Sequence, residues 1–173
     1  MTDDNLIKQT LDSAKTIAMV GASTVKEGEV VAKTRLKPSI IVMKYLLEFG
    51  YKVIPVNPIS KGKKVHGKTI VEKLEDVSTP IDIVNVFRPS KETPEIAKQT
   101  VKIGAKVLWL QFGIENPEAE KISNSAGITC IMNKCIKQEY QRLFLKSKPV
   151  FPVLLPDWFK IILKRQLYFH HQQ

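Results

Sequence analysis

The stretch Val53-Ile54-Pro55-Val56-Asn57-Pro58 decides how this chain is read. It lies between Phe49-Gly50-Tyr51, the close of a helical pattern, and a loop rich in lysine. It reads as the end of a buried strand that leads into a turn carrying no acid. In dinucleotide-binding α/β domains, a carboxylate at the end of the second strand holds the ribose hydroxyls. Asn57 and Pro58 stand in that place here, followed by Lys61, Lys63 and Lys64. Amide and ammonium groups there suit an additional phosphate better than a bare ribose.

Outward from this strand, strands and helices alternate. Thr16 to Val20 (TIAMV) is a short buried strand. Ser39 to Phe49 is helical, with Ile40, Ile41, Met43, Leu46, Leu47 and Phe49 at the apolar positions and Gly50 as the stop. Lys52 to Val56 is the second strand and Ile81 to Phe87 (IDIVNVF) the third. Thr93-Pro94-Glu95 opens a helix, with Thr93 as N-cap, Pro94 at the first helical position and an acid beside it. That helix runs to Gly104, and Lys106 to Gln111 is the fourth strand. Asn116-Pro117-Glu118 repeats the helix-start chemistry, Gly127 ends the helix, and Ile128 to Met132 is the fifth strand. Such alternation requires right-handed crossovers. It predicts a three-layer α/β domain with a mainly parallel sheet of five to six strands and helices on both faces.

The 173 residues suffice for one domain with a sizeable core. A hydrophobic share of 43% with 25% charged residues is that of a soluble globular chain. No apolar run reaches the roughly 18–20 residues that span a bilayer. The opening MTDDNLIKQT lacks the basic and apolar regions of a secretory signal. Cys130 and Cys135 show no metal-ligand spacing, and the expected location is the reducing cytoplasm. The net charge of +10 favours anionic partners: nucleic acid, anionic lipid or phosphorylated small molecules. From Lys134 onward there are eight basic residues against two acidic ones, so much of that charge belongs to the tail. Basic balance alone does not make a nucleic-acid binder.

In an open α/β sheet, ligands bind outside the carboxyl ends of the strands. Those places hold Gly21-Ala22-Ser23, Asn57-Pro58, Phe87-Arg88-Pro89, Gln111-Phe112-Gly113 and Asn133-Lys134-Cys135. They are small, amide-bearing or basic, and none is a carboxylate. Gly21 to Ser23 either lets backbone approach a phosphate with Ser23 as a donor, or is a plain tight turn. Thr24 to Lys37 is long for such a connection and reads as a lid or as an excursion. Ser39 caps the next helix or binds phosphate, and the cap is the simpler reading. Phe87-Arg88 suits stacking on a base and gripping phosphate, or is a core Phe beside a surface Arg. Trp109 lies inside a strand pattern and reads as core. Lys134 and Lys137 flank Cys135, and cations favour thiolate. With no histidine close in sequence, Cys135 reads as a ligand contact more readily than as a nucleophile. His66 reads as surface, and His170 and His171 as tail. No metal constellation and no catalytic residue stands out.

Seven segments resemble a known family when taken together. They are GAS after the first strand, KPS opening a helix, YLLEFGYKVIPVNP, HGKTIVEKLEDV, DIVNVFRPS, GAKVLWLQFGI and MNKCIKQEYQRL. Over Ala14 to Leu143 the chain resembles the small stand-alone coenzyme A-binding proteins. The resemblance implies a Rossmann-like fold similar to the N-terminal domain of the succinyl-CoA synthetase alpha subunit. It implies coenzyme A or an acyl-CoA as ligand. By motif, its contacts fall on Gly21, Ala22, Ser23, Ser39, Val56, Asn57, Pro58, Phe87, Arg88, Gln111, Phe112 and Gly113. The residue-level reading adds Lys61 at the adenosine end and Cys135 at the thiol end. The chain departs from the family in its longer first loop, in Asn133 where an acid is usual, in Gln138 where an aliphatic residue is usual, and in the extension Phe144 to Gln173. The segment that carries the phosphohistidine of the ligase relatives has no counterpart here, so the resemblance implies binding and gives no licence for catalysis.

The expected organisation is a CoA-binding domain over residues 1–145 and a basic, apolar extension over 146–173. In the extension, Pro156-Asp157 starts a helix, with Asp157, Lys160 and Lys164 on one stripe. Trp158, Phe159, Ile162, Leu163 and Leu167 cover the rest, and so wide an apolar surface needs cover. Cover comes from the domain's own sheet, a second copy in a homodimer, or an anionic membrane surface, with protein ranked first. Two rival functions remain. One is an NAD(P)-responsive regulator that also contacts nucleic acid, opposed by the missing GxGxxG and ribose acid. The other is a subunit of an acyl-CoA ligase or transferase whose partner chain supplies the chemistry.

Overall fold

The computed structural model describes residues 3–24 and 37–146. The chain opens with α1 (Asp4–Ser13), a helix the sequence pattern did not single out; Asp3 caps it, its carboxylate accepting the Asn5 N–H at 3.1 Å. Then come β1 (Thr16–Val20), α2 (Pro38–Glu48) and β2 (Lys52–Val56). A small antiparallel hairpin follows, β3 (Lys64–Val65) and β4 (Lys68–Thr69). The second half runs β5 (Ile83–Val86), α3 (Thr93–Lys102), β6 (Val107–Leu110), α4 (Pro117–Ser125), β7 (Thr129–Ile131) and α5 (Ile136–Phe144).

β2, β1, β5, β6 and β7 lie side by side in that order, all parallel. The strand order turns back at β1, and the crevice between β1 and β5 is the switch point of the sheet. Alternate residues serve opposite layers. Ile17, Met19, Ile83, Trp109 and Ile131 join a core with Ile7 and Leu11 of α1, Ile40 and Met43 of α2, and Ile136 and Tyr140 of α5. Ala18, Val20, Val84, Val86, Leu108 and Leu110 join a second core with Ile96 and Ala97 of α3 and Ala119 of α4. The result is the expected three-layer, Rossmann-like α/β domain with five strands in its main sheet.

At the amino ends, Asp82 fastens three strands. Its carboxylate accepts the N–H groups of Lys15 and Thr16 at 2.9 and 3.0 Å and the Lys106 ammonium at 2.8 Å. Trp109 is fully buried, as expected of a core residue, and its indole N–H donates to the Lys134 carbonyl at 2.7 Å. That bond sets the path of the loop from β7 into α5. His66 is exposed, as read, and its Nε2 lies 2.7 Å from the Ile40 carbonyl, pinning the hairpin to α2.

Among the helix starts, the Asn116 reading is borne out, and the Thr93 and Ser39 cap readings are corrected. Asn116 caps α4, accepting from the N–H groups of Glu118 and Ala119 at 3.0 and 3.1 Å. Thr93 does not cap α3. A short 3₁₀ turn, Ser90–Glu92, leads into the helix, and Thr93 is its first residue with Pro94 second. With the chain already helical at that point, the Thr93 hydroxyl turns back and donates to the Ser90 carbonyl at 2.7 Å. The readings made for the long loop after β1, for the C-terminal extension and for His170 and His171 fall outside the described residues.

Candidate functional site

Gly21 leaves β1 with φ +86°, a conformation that favours glycine, and its N–H donates to the Val56 carbonyl at 2.9 Å. A Cβ there would sit 3.0 Å from the Arg88 Cδ and 3.2 Å from the Phe87 carbonyl carbon. The ends of β1, β2 and β5 therefore meet at one point. Asn57 binds them further: its Nδ2 donates to the Ala22 carbonyl at 2.8 Å and its Oδ1 accepts the Ile59 N–H at 3.1 Å. This explains the missing acid at that place, because the turn needs an amide that donates and accepts at once.

Ser39 was expected to cap α2. The helix instead starts at Pro38, with Lys37 in the capping position and no side-chain cap. Ser39 lies two positions past the cap, is buried, and accepts the Ser23 N–H on its hydroxyl at 3.2 Å. It ties the loop after β1 to the helix.

A cleft of about 420 Å³ opens outside the carboxyl ends of β1 and β2, toward α3. Gly21, Val56, Asn57, Pro58 and Arg88 line it, as does the exposed Ile59. None of the residues directly after the strands is a carboxylate, yet Glu72, Glu92 and Glu95 also face the cleft. They come from beyond the strand ends that the sequence singles out. Arg88 grips Glu92, four residues along the chain, with two bonds, 2.7 and 3.0 Å. The guanidinium holds the Glu92 carboxyl below its ordinary range despite some burial. Lys61 and Glu72 pair at 2.5 Å, which lowers the carboxyl and raises the ammonium.

The remaining predicted residues lie elsewhere along the same edge. Phe87 packs against the core beneath α2. Gln111 is buried and donates from Nε2 to the Asn85 Oδ1 at 2.6 Å. Phe112 is exposed to 68%. The Gly113 N–H donates to the Asn133 Oδ1 at 2.7 Å, and the Asn133 amide donates to Glu115. Asn133 adopts φ +55°, a conformation that asparagine tolerates better than most residues.

Cys135 stands at the N-terminus of α5, half-buried against the α2 side, and does not line the cleft. The thiolate expected from its lysine neighbours is corrected by its surroundings. Burial pushes the thiol up, and this outweighs the N–H groups of Gln138 and Lys137 and the Lys137 ammonium. Burial also raises Cys130, helped by Glu120, to about 11. Lys137 is itself buried, 5.3 Å from the centre of the Tyr45 ring, and burial lowers its ammonium.

Of the residues that the sequence reading missed, Glu92 had a signal, since it stands four places after Arg88. Glu72 had none. It reaches the cleft because Val71 forms a parallel bridge with Val56 across the sheet edge. Among the described residues no group of histidine, cysteine, aspartate and glutamate is placed to hold a metal ion. None of the described helices is long and apolar enough to cross a membrane.

A family model described as a CoA binding domain matches residues 15–141. The chain belongs to this CoA-binding domain family. It is 37% identical over 131 residues to the uncharacterized protein YneT of Bacillus subtilis (strain 168), covering 76% of this chain and 89% of YneT. A solved structure from Pyrococcus horikoshii OT3 superposes with a TM-score of 0.72 at 38% identity, covering 82% of this chain and 92% of that one. The acetyl-coenzyme A synthetase 1 of Ca. Korarchaeum cryptofilum shares the fold alone. Its TM-score is 0.53 at 24% identity, over 69% of this chain and 26% of that one.

Proposed function

We propose that this cleft binds coenzyme A or an acyl-CoA, and that the chain acts by binding without catalysing a reaction itself. The carrying observation is the contact of Arg88 with bare backbone at Gly21, where no Cβ fits. A guanidinium held beside exposed backbone at the switch point suits a pyrophosphate. Ile59, Leu74 and Ile96 supply an apolar wall for adenine. Lys61 lies at the adenosine end, next to a wall that also carries Glu72. The pantetheine arm then runs along the strand ends past Phe112, toward the side of Cys135. Family membership supports the same ligand. Around the cleft Arg88 is tied to Glu92 and Glu72 to Lys61, while Glu95 pairs with Lys98, and these groups act as a polar rim.

Glu72 favours one competitor. A carboxylate beside the second strand is also what an NAD site uses. Thermal-shift titration with CoA, NAD and NADP decides. A ligand that binds only the folded state stabilises it by about 2.7 kcal/mol at 100-fold over its Kd. CoA is expected to raise the melting temperature more than either dinucleotide. An equal or larger shift with NAD refutes the CoA reading.

A further inference from the structure

We propose that Glu72 reads the ribose of the bound adenosine, accepting its free 2′-hydroxyl while Lys61 takes the phosphate on the neighbouring 3′-oxygen. The inference rests on the CoA reading above and names how that site distinguishes its ligand.

Position comes first. The parallel bridge between Val56 and Val71 puts Glu72 level with Asn57, the first residue past β2. Backbone bonds lock that register: the Asn57 N–H donates to the Val71 carbonyl at 2.9 Å, and the Val71 N–H to the Pro55 carbonyl at 3.0 Å. In nucleotide-binding α/β domains this level beside the second strand is where a carboxylate meets ribose hydroxyls. The chain places amide and proline there and brings the acid in from a neighbouring segment.

Chemistry agrees with position. An ionised carboxylate only accepts hydrogen bonds, and an ammonium only donates. The CoA ribose presents a donor and an acceptor on adjacent carbons, a 2′-hydroxyl and a 3′-phosphate. The protein presents the complementary pair, with Glu72 Oε2 2.5 Å from Lys61 Nζ. The Oε1 atom of Glu72 has no hydrogen bond among the described residues, so a hydroxyl can bind there with the ion pair intact. Both side chains are open to an arriving ligand, Lys61 at 66% exposure and Glu72 at 34%. A phosphate on the 2′-oxygen would instead face the carboxylate and be repelled.

Calorimetry at fixed ionic strength tests this with adenosine 3′,5′-bisphosphate, its 2′-deoxy analogue, adenosine 5′-monophosphate and CoA. The proteins are the wild type, Glu72→Ala and Lys61→Met, each checked for an unchanged fold by circular dichroism. The wild type should bind the ribonucleotide about tenfold more tightly than the deoxy analogue, the worth of one hydrogen bond to a charged acceptor. In Glu72→Ala that ratio should fall to about one. Removing the glutamate also frees Lys61, but this strengthens both nucleotides alike, so the ratio isolates the hydroxyl. Lys61→Met should keep the ratio and lose the preference for the bisphosphate over the monophosphate. Equal binding of the two bisphosphates by the wild type, or a ratio that survives in Glu72→Ala, overturns the inference while CoA binding stands. If neither CoA nor any of the nucleotides binds the wild type, the CoA reading falls and the inference falls with it.

Discussion

Gly21→Ala is the sharpest single perturbation of the cleft. Two separable penalties follow from the geometry. The first is conformational: at φ +86° an L side chain is strained, by about 1–2 kcal/mol. The second is steric. The new Cβ lies 3.2 Å from the Phe87 carbonyl carbon, which is backbone and cannot step aside, and 3.0 Å from the Arg88 Cδ, which can. Overpacking of this kind costs about 1–3 kcal/mol. Gly113 supplies the control. It has φ +80° but nothing within 4 Å of an added Cβ, so Gly113→Ala carries the strain alone. Urea unfolding of both variants should show Gly21→Ala less stable than Gly113→Ala by about 1–3 kcal/mol. Because the Arg88 stem must move outward, CoA titration should also show weaker binding in Gly21→Ala. Equal stability of the two variants refutes the close approach of β1 and β5 on which the site is built.

Two further outcomes concern titrating groups. Burial alone would push the Asp82 carboxyl up, but bonds from Lys106 and from the N–H groups of Thr16 and Lys15 hold it below 3.8. A depressed carboxyl stabilises the fold above its unfolded pKa and loses that contribution as pH falls through the folded one. The stability gap between wild type and Asp82→Asn, about 1–3 kcal/mol at neutral pH, should therefore hold from pH 7 to about 5 and narrow steadily as pH falls below about 4. A gap that does not narrow on acidification below about pH 4 contradicts the assignment. For the cysteines, iodoacetamide labelling followed by mass spectrometry should find both thiols slow at neutral pH, with Cys130 still gaining reactivity beyond pH 9, because burial raises both. Rapid labelling of Cys135 at pH 7 in the folded protein would restore the thiolate reading.

Much of the architecture was legible because it is written in near neighbours. The Phe49-Gly50 stop before Lys52–Val56, the Asn116-Pro117 start of α4 and the apolar run around Trp109 depend on contacts within a turn or on one strand. Their alternation leaves a parallel sheet as the natural outcome. The sequence reading passes over α1 and α5, although both are amphipathic. Ile7, Thr10 and Leu11 are buried in α1, Ile136 and Tyr140 in α5, and Arg142 of α5 reaches back to pair with Asp4 across the whole described chain. At helix starts, proline and a preceding turn shift the boundary, so Ser39 lies two positions and Thr93 one position past the observed cap.

The site divides along the same line. Composition and motif identified Gly21, Asn57 and Arg88 as strand-end residues, because the place of ligands in such a sheet follows from strand order. Which charges oppose one another was decided only by tertiary structure. Lys61 and Arg88 read as free cations along the chain, yet Glu72 and Glu92 lie 2.5 and 2.7 Å from them. Cys135 reads as an activated thiol beside two lysines, yet its surroundings are set by the packing of α5 on α2, and burial outweighs sequence proximity. Strand order and helix ends answer to local chemistry. Ion pairing and pKa answer to whichever groups the sheet register brings within a few ångströms, and for Glu72 that register runs through a single bridge, Val56 to Val71.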